Sequence, residues 1–385
     1  LRICYVLLSP TFGMHQYAAD LANRMMRLGH EVHLVTSMRY PTDRYLPDIQ
    51  VHTPVETRDT GFSLDALQPR APGRIAATLK SIRPDLAHFT GPHIWNTAII
   101  KYLHRWGIPA LHTLHDLDPH PGSVYGPLLH LWNWSILRHA DHILVHGLRY
   151  WEKLFSRGIP QERVSSVPLL HLFLGYRWLD DLERLSADVH YQPMVLFFGR
   201  LERYKGVQEL LAAWSLLGGD SAKLVLAGSG DLTKFWSGPL PLGVEAHNHL
   251  IDDDEALELF RRCALVVLPY TGATQSALIP AAYYFRKPVI ASRSGALPEY
   301  VQVGVTGWNV EPADSEALAE CLSEALTDVD RLRCMGEAGR AWYDEQRRCE
   351  GETLLQLYER LAGQVMPSKR AFPKCKSAVK WIMEG

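Results

Sequence analysis

No apolar run in this chain approaches the roughly 18 residues that a membrane-spanning helix needs. The opening Ile3–Leu8 run is too short for a signal peptide and leads into a turn, so it reads as a strand. Cysteine is sparse. Cys4, Cys263, Cys321, Cys334, Cys349 and Cys375 are scattered, with no C-x-x-C pair and no short-loop framework, which excludes a disulfide scaffold and a cysteine-ligated zinc site. Reduced thiols in a soluble, cytoplasmic protein are the expectation, and a peripheral contact with the inner face of a membrane stays open. Charge of one sign is lacking too. Forty Lys and Arg against 42 Asp and Glu leave a net charge of −2, without the basic excess of a general nucleic-acid binder. The first strand–helix turn, Ser9-Pro10-Thr11-Phe12-Gly13-Met14, lacks G-x-G-x-x-G, which argues against a nicotinamide dehydrogenase.

At 385 residues, 47% hydrophobic and 10% aromatic, the chain can fill two cores at about 150 residues per domain. Short apolar runs alternate with helix-period segments. Strands are expected near Ile3–Leu8, Glu31–Thr36, Leu86–Thr90, Ala110–Leu114, His142–Val145 and Val164–Val167. A second series falls near Met194–Phe198, Lys223–Ala227, Val244–His247, Ala264–Pro269, Pro288–Ala291 and Trp308–Val310. The runs are mostly continuous, as in strands buried on both faces. Ala18, Leu21, Ala22, Met25 and Leu28 make one helical stripe, stopped by Gly29; Val207, Leu210, Leu211 and Trp214 make another. Such alternation predicts α/β domains with parallel, doubly wound sheets. The weakest periodicity, Gly175 to Gln192, marks the linker, so the first domain is expected over 1–175 and the second over 190–364.

Eighteen histidines are present, eleven of them between His88 and His171. His139, His142 and His146 have tolerable spacing for zinc, but His142 and His146 flank a strand core. A polar lining is the plainer reading, because neutral imidazole can donate or accept toward hydroxyls. His88, His93 and His115 lie at or just beyond strand ends and are the candidates. The apolar Leu128–Leu137 stretch reads as a helix packed on the first sheet, with a membrane- or acceptor-touching helix as the alternative.

Ligands of open α/β sheets bind outside the carboxyl ends of the strands. After Met194–Phe198 comes Gly199-Arg200-Leu201-Glu202-Arg203-Tyr204-Lys205-Gly206, which can direct two cations at one anion beside a helix start. Leu226-Ala227-Gly228-Ser229-Gly230 follows the next strand. Then come Pro269-Tyr270-Thr271-Gly272-Ala273-Thr274-Gln275-Ser276-Ala277-Leu278-Ile279-Pro280, with Thr274 and Ser276 as N-cap candidates, and Ser294-Gly295-Ala296-Leu297-Pro298-Glu299. Singly, each is also compatible with an ordinary loop; in this order all suit one diphosphate.

This ordered set, with Val266-Val267-Leu268-Pro269, Lys287-Pro288-Val289-Ile290-Ala291 and Gly304-Val305-Thr306-Gly307, resembles glycosyltransferase family 4. Pro10–Gly13 with Gly29-His30-Glu31-Val32, Pro84-Asp85…His88, Thr113-Leu114-His115-Asp116 and Ala140-Asp141-His142 agree more loosely. The resemblance implies the GT-B fold, two Rossmann-like domains facing across a cleft, with a C-terminal helix crossing back. It implies that Arg200 and Lys205 hold the donor diphosphate, with Gly13, Gly228 and Glu299 in the same donor site. The turn at Ser276, Ala277 and Leu278 would supply backbone N–H groups to the distal phosphate, and main chain near His249 and Ile251 would meet the nucleobase. His115 would lie where the sugar reacts, and His88 and His93 on the acceptor side. Fixed cations would replace a metal as the counter-charge, so no metal and no other cofactor is expected. No D-x-D pair stands at a strand end where a metal-dependent transferase would need it, and Asp116-Leu117-Asp118 is a nearby candidate.

One departure stands out. The family usually carries two glutamates eight residues apart, and here those positions are Ala273 and Ala281. Ala273-Thr274-Gln275-Ser276 resembles a subgroup with A-T-Q-S at this turn, where Gln275 or Thr274 would contact the donor sugar. The expected activity is metal-independent, retaining transfer of a sugar from a nucleotide diphosphate sugar to an acceptor hydroxyl, on a glycan, lipid-linked saccharide or small glycoside. The alternative is a degenerate protein that binds nucleotide or glycan without transfer. Between Lys369 and Lys380 stand five basic residues and no acid, followed by Trp381, Ile382 and Met383. That tail would touch anionic lipid or, as the resemblance implies, form the return helix over about 365–385.

Overall fold

The computed structural model describes residues 1–59, 61, 68–117, 126–218 and 222–363. The basic tail and Asp118 lie outside the described residues. The chain divides into two compact units: Leu1–Arg177 with the chain from Arg348 onward, and Trp178–Arg347.

The first unit holds β1 (Arg2–Leu7), α1 (Phe12–Arg27), β2 (Glu31–Ser37), β3 (Gln50–Val55), α2 (Ala71–Ile82), β4 (Leu86–Phe89), α3 (Asn96–Arg105), β5 (Ala110–Leu114), α4 (Gly126–His139), β6 (His142–Val145), α5 (Leu148–Ser156) and β7 (Val164–Ser166). Its sheet is parallel, in the order β3-β2-β1-β4-β5-β6-β7. Tyr5 on β1 pairs with Leu34 on one side and His88 on the other. The order reverses beside β1, so the turn into α1 and the end of β4 share the switch point where such sheets bind ligands. In α1 the stripe Ala18, Leu21, Ala22 and Met25 is buried, whereas Leu28 lies past the helix end and is exposed.

The second unit holds α6 (Leu182–Ala187), β8 (Met194–Phe198), α7 (Val207–Leu217), β9 (Lys223–Ala227), β10 (Val244–His247), α8 (Asp253–Arg262), β11 (Leu265–Leu268), α9 (Leu278–Tyr284), β12 (Val289–Ser292), β13 (Gly307–Val310) and α10 (Ser315–Leu326). Its parallel order is β10-β9-β8-β11-β12-β13, again reversing beside the first strand. Local signals agree with the fold here. Asp252 caps α8 by accepting from Glu255 N at 2.9 Å. Three acids fill the helix's first turn and Arg261 and Arg262 its last, matching the helix dipole.

Helix α11 (Val329–Leu361) begins in the second unit, and its residues from Arg348 belong to the first. The boundary expected at 364 therefore lies earlier. Leu354, Leu357 and Tyr358 are fully buried. Glu350 pairs with Arg24 of α1, with Arg24 Nη2 donating to Oε1 at 2.9 Å. Nothing in the 348–361 pattern distinguishes the two cores, because one unbroken helix serves both.

Candidate active site

The loops that follow β8, β9, β11 and β12 meet at one edge of the second sheet. Gly199 has φ 114° and Gly228 has φ 150°. A β-carbon on Gly228 would stand 2.1 Å from the Gly199 carbonyl oxygen. The two loops can pass only because position 228 is glycine, while a β-carbon on Gly199 would meet the Lys205 ammonium. Leu201 N donates to Ser229 O at 2.8 Å and continues the pairing beyond the strands. Gly228 thus serves loop–loop packing, the space it leaves being taken by backbone. Gly206 carries α7, and a β-carbon there would overlap the Pro269 carbonyl. Tyr204 O accepts from Thr271 N at 2.8 Å and from Gly272 N at 3.3 Å, tying the first loop to the third. Ala273 N donates to Ser294 Oγ at 2.8 Å, and Ala296 N to Thr274 O at 2.9 Å, which ties the third to the fourth.

These ties place both cations. Lys205 Nζ lies above Gly199 and 5.6 Å from the Tyr270 ring centroid. Arg200, with a side chain 68% exposed, is 3.0 Å from Glu202 Oε1. Ala277, not Thr274 or Ser276, is the N-cap of α9, and it makes no side-chain cap bond. Ser276 Oγ still accepts from Leu278 N at 3.3 Å. Thr274 is buried under the turn, while Gln275, Ser276, Ala277 and Leu278 are half-buried. Glu299 sits in the 3-10 turn Leu297–Tyr300 and is half-buried. His249 is exposed beyond β10; its Nε2 is 2.7 Å from Glu255 Oε2, and its N donates to His247 O at 3.0 Å. Burial works against the charge of His247, but Glu255 and Glu245 outweigh it and raise its pKa. Ile251 follows in the same loop, half-buried.

In the first unit, Gly13 lies in the opening turn of α1 with nothing within 4 Å of where a β-carbon would be. The helix starts at Phe12, so Gly13 stands at a helix N-terminus. His115 follows β5, half-buried, and its Nε2–H donates to Thr90 O at 2.9 Å. Burial lowers its pKa. His88 is different. It is fully buried, with Nδ1 2.7 Å from the Tyr358 hydroxyl and Nε2 2.8 Å from Thr113 Oγ1. With both nitrogens used inside the chain, His88 is a packing residue and not an acceptor contact. His93 is also enclosed. Its Nδ1 accepts from Trp95 N at 3.3 Å, its ring lies 4.4 Å from that of Trp95, and burial pushes its pKa down to about 4. Unlike those of His88, its nitrogens are not both used: Nε2 is buried with no hydrogen-bond partner among the described residues.

Residues that the sequence reading missed complete both sites. Glu202, Tyr204, Tyr270 and Ser294 hold the cation loops, and Tyr17, Thr113 and His146 surround His115. Among the described residues, no three His, Cys, Asp or Glu side chains converge as a metal site. Nor is any described helix long and apolar enough to cross a membrane. Helix α4 buries Trp132, Ile136 and Leu137 and leaves Leu131 63% and Trp134 59% exposed, so it packs on the unit with one face only.

Two Rossmann-like domains, the second with a cationic, glycine-framed loop cluster at its strand ends, are an architecture suited to a phosphorylated ligand. Residues 12–169 match the "Glycosyl transferase 4-like domain" and residues 192–328 the "Glycosyl transferases group 1" model. The chain is a glycosyltransferase and belongs broadly with glycosyltransferase family 4. It is 24% identical over 371 residues to D-inositol 3-phosphate glycosyltransferase of Thermobispora bispora, covering 84% of this chain and 83% of that protein. Its fold is that of the solved sucrose-phosphate synthase of Thermosynechococcus elongatus: TM-score 0.73, 20% identity, 94% of this chain and 100% of that one. It is likewise that of Anabaena HepE in complex with UDP and glucose: TM-score 0.71, 16% identity, 93% of this chain and 99% of that one. All three share the GT-B architecture of two parallel-sheet domains.

Proposed function

We propose that this chain transfers a sugar, with retention and without a metal, from a nucleoside diphosphate sugar to an acceptor hydroxyl. The observation that carries this reading is the placement of Lys205 Nζ over Gly199, with Arg200 beside it and half-buried backbone at Ser276–Leu278 on the adjoining loop. Fixed cations at that edge would stabilise the charge that develops on the leaving diphosphate. Gln275 is our assignment for a donor-sugar contact, since Ala273 and Ala281 supply no carboxylate and Thr274 is buried. Backbone near His249 and Ile251 is assigned to the base, and Gly13, with open space at a helix N-terminus, to the donor phosphates. His115 is assigned to the transferred sugar. We assign no carboxylate among the described residues as nucleophile, so same-face attack would follow, with a donor phosphate oxygen accepting the acceptor's proton.

HepE is described in complex with UDP and glucose, which makes UDP-glucose the first donor to try. The T. bispora relative and sucrose-phosphate synthase are named for phosphorylated small molecules. Polyol and sugar phosphates are therefore the first acceptors. A thermal-shift screen of UDP, GDP, ADP, TDP and NAD, followed by donor hydrolysis and transfer assays in EDTA, tests the reading. A shift with one nucleoside diphosphate and turnover in EDTA is expected. A shift only with NAD, or turnover only with added metal, would overturn it.

A further inference from the structure

Tyr17 stands one turn after Gly13 on α1 and is buried. Its ring lies edge-on to three imidazoles: His115 at 5.0 Å between centroids and 89°, His146 at 5.1 Å and 84°, and His171 at 5.9 Å and 64°. Its hydroxyl is 3.2 Å from Thr113 Oγ1, the group that also meets His88 Nε2. One ring therefore fixes side chains from the ends of β5 and β6 and from the segment after β7. Thr90 O can only accept, so His115 Nε2 carries the proton and Nδ1 keeps the lone pair. Val167 O likewise fixes the proton of His146 on Nδ1, 3.0 Å away, and leaves its Nε2 a fully buried acceptor with no hydrogen-bond partner. The His115 and His146 rings are 5.3 Å apart. A charge on either would be desolvated and repelled by the other, and by His88. His112 and His171 add to that field, and Asp116 opposes it.

We propose that Tyr17 is a positioning residue that holds His115 in one rotamer and one neutral tautomer beside the transferred sugar. The catalytic half of this rests on the assignment of His115 to the transferred sugar; the structural half does not. Edge-to-face packing supplies the orientation, and the carbonyl of Thr90 supplies the tautomer.

The test is 15N and 13C NMR of the full chain labelled in histidine, with His115 assigned by His115→Asn. Wild type and Tyr17→Phe should both show His115 as the Nε2–H tautomer, titrating below a free imidazole because of its burial. Tyr17→Met fills most of the space with a flexible apolar chain and offers no ring face. It should show a tautomer mixture titrating nearer about 6.5. With UDP-glucose as probe, Tyr17→Met should lower turnover at least ~10-fold with little change in KM, and Tyr17→Phe should restore it. An unchanged His115 spectrum in Tyr17→Met overturns the inference, as does loss of the tautomer in a folded Tyr17→Phe. If His115→Asn turns over normally while the spectra behave as expected, the sugar assignment of His115 falls and the positioning role of Tyr17 stands.

Discussion

The Nζ of Lys205 stands 2.6 Å from the point that a β-carbon on Gly199 would occupy. An alanine at 199 must therefore displace the ammonium, and at φ 114° it adds backbone strain of about 1–3 kcal/mol. Gly199→Ala is expected to raise the donor KM, lower turnover at least ~10-fold and lower the urea midpoint. Lys205→Ala should lower turnover ~100-fold with little loss of stability, because the side chain is only half-buried. A normal donor KM in Gly199→Ala would separate the glycine from the cation and remove this account of the motif.

Arg200 separates charge from folding more cleanly. Its pairing with Glu202 is exposed, and such pairs contribute about 0–1 kcal/mol. Arg200→Ala should melt like wild type and lose ~100-fold in turnover. Glu202→Gln should stay within about threefold of wild type, since an exposed ion pair screens the guanidinium only weakly. Steady-state kinetics beside thermal melts decide it, and wild-type turnover in Arg200→Ala would sink the diphosphate assignment.

Two glycines in the expected donor set should behave in opposite ways. At Gly228 the clash is with the Gly199 backbone carbonyl, which cannot swing aside, so Gly228→Ala should lose several kcal/mol or fail to fold. At Gly13 there is nothing to strike and the position is helical. Gly13→Ala should gain about 0.5–1 kcal/mol. If phosphates approach there, the same methyl group raises the donor KM. A stabilised Gly13→Ala with unchanged KM would take the donor away from that helix end.

The second sheet was legible in its sequence because Met194–Phe198 and Lys223–Ala227 are continuous apolar runs in strands with neighbours on both sides. Strand β3 was not. Gln50–Val55 mixes His52, Thr53 and Pro54, a composition that reads as loop, and it is tolerated because β3 is an edge strand. The cation loops could be read from glycine and charge in order, but the reason for Gly228 could not, since it lies in the path of another loop. Tyr17 is invisible in the same way: at helical spacing it looks like one more core aromatic. His88 illustrates the limit best. Its strand-end position suggested a ligand contact, and only the fold reveals Tyr358, 270 residues away in the chain, on its Nδ1.

Lys287 allows a prediction at alkaline pH. It is fully buried, donates from Nζ to His190 O and, at 3.0 Å, to Arg261 O, and lies 4.2 Å from the Tyr191 ring centroid. It thereby fastens the start of the second unit to the C-terminal end of α8. Burial lowers its pKa from 10.5 to about 8, only partly opposed by the nearby Cys263. Below pH 8 both folded and unfolded chains carry the proton, and the folded state bears the full cost of a buried charge. Between about 8 and 10.5 the folded state releases the proton while the unfolded chain keeps it, so this group's contribution to stability rises with pH and levels off above 10.5. Lys287→Met removes that rise and leaves two carbonyls without a donor. The buried thiol of Cys263, pushed up to about 11, interacts with Lys287, so both proteins are compared in a Cys263→Ala background, and the other titrating groups are common to the two. Urea midpoints from about pH 7 to 10.5 should show the gap between wild type and variant widening by about 1–3 kcal/mol. Parallel curves would mean that Lys287 keeps its charge throughout, held by the two carbonyls and the Tyr191 ring.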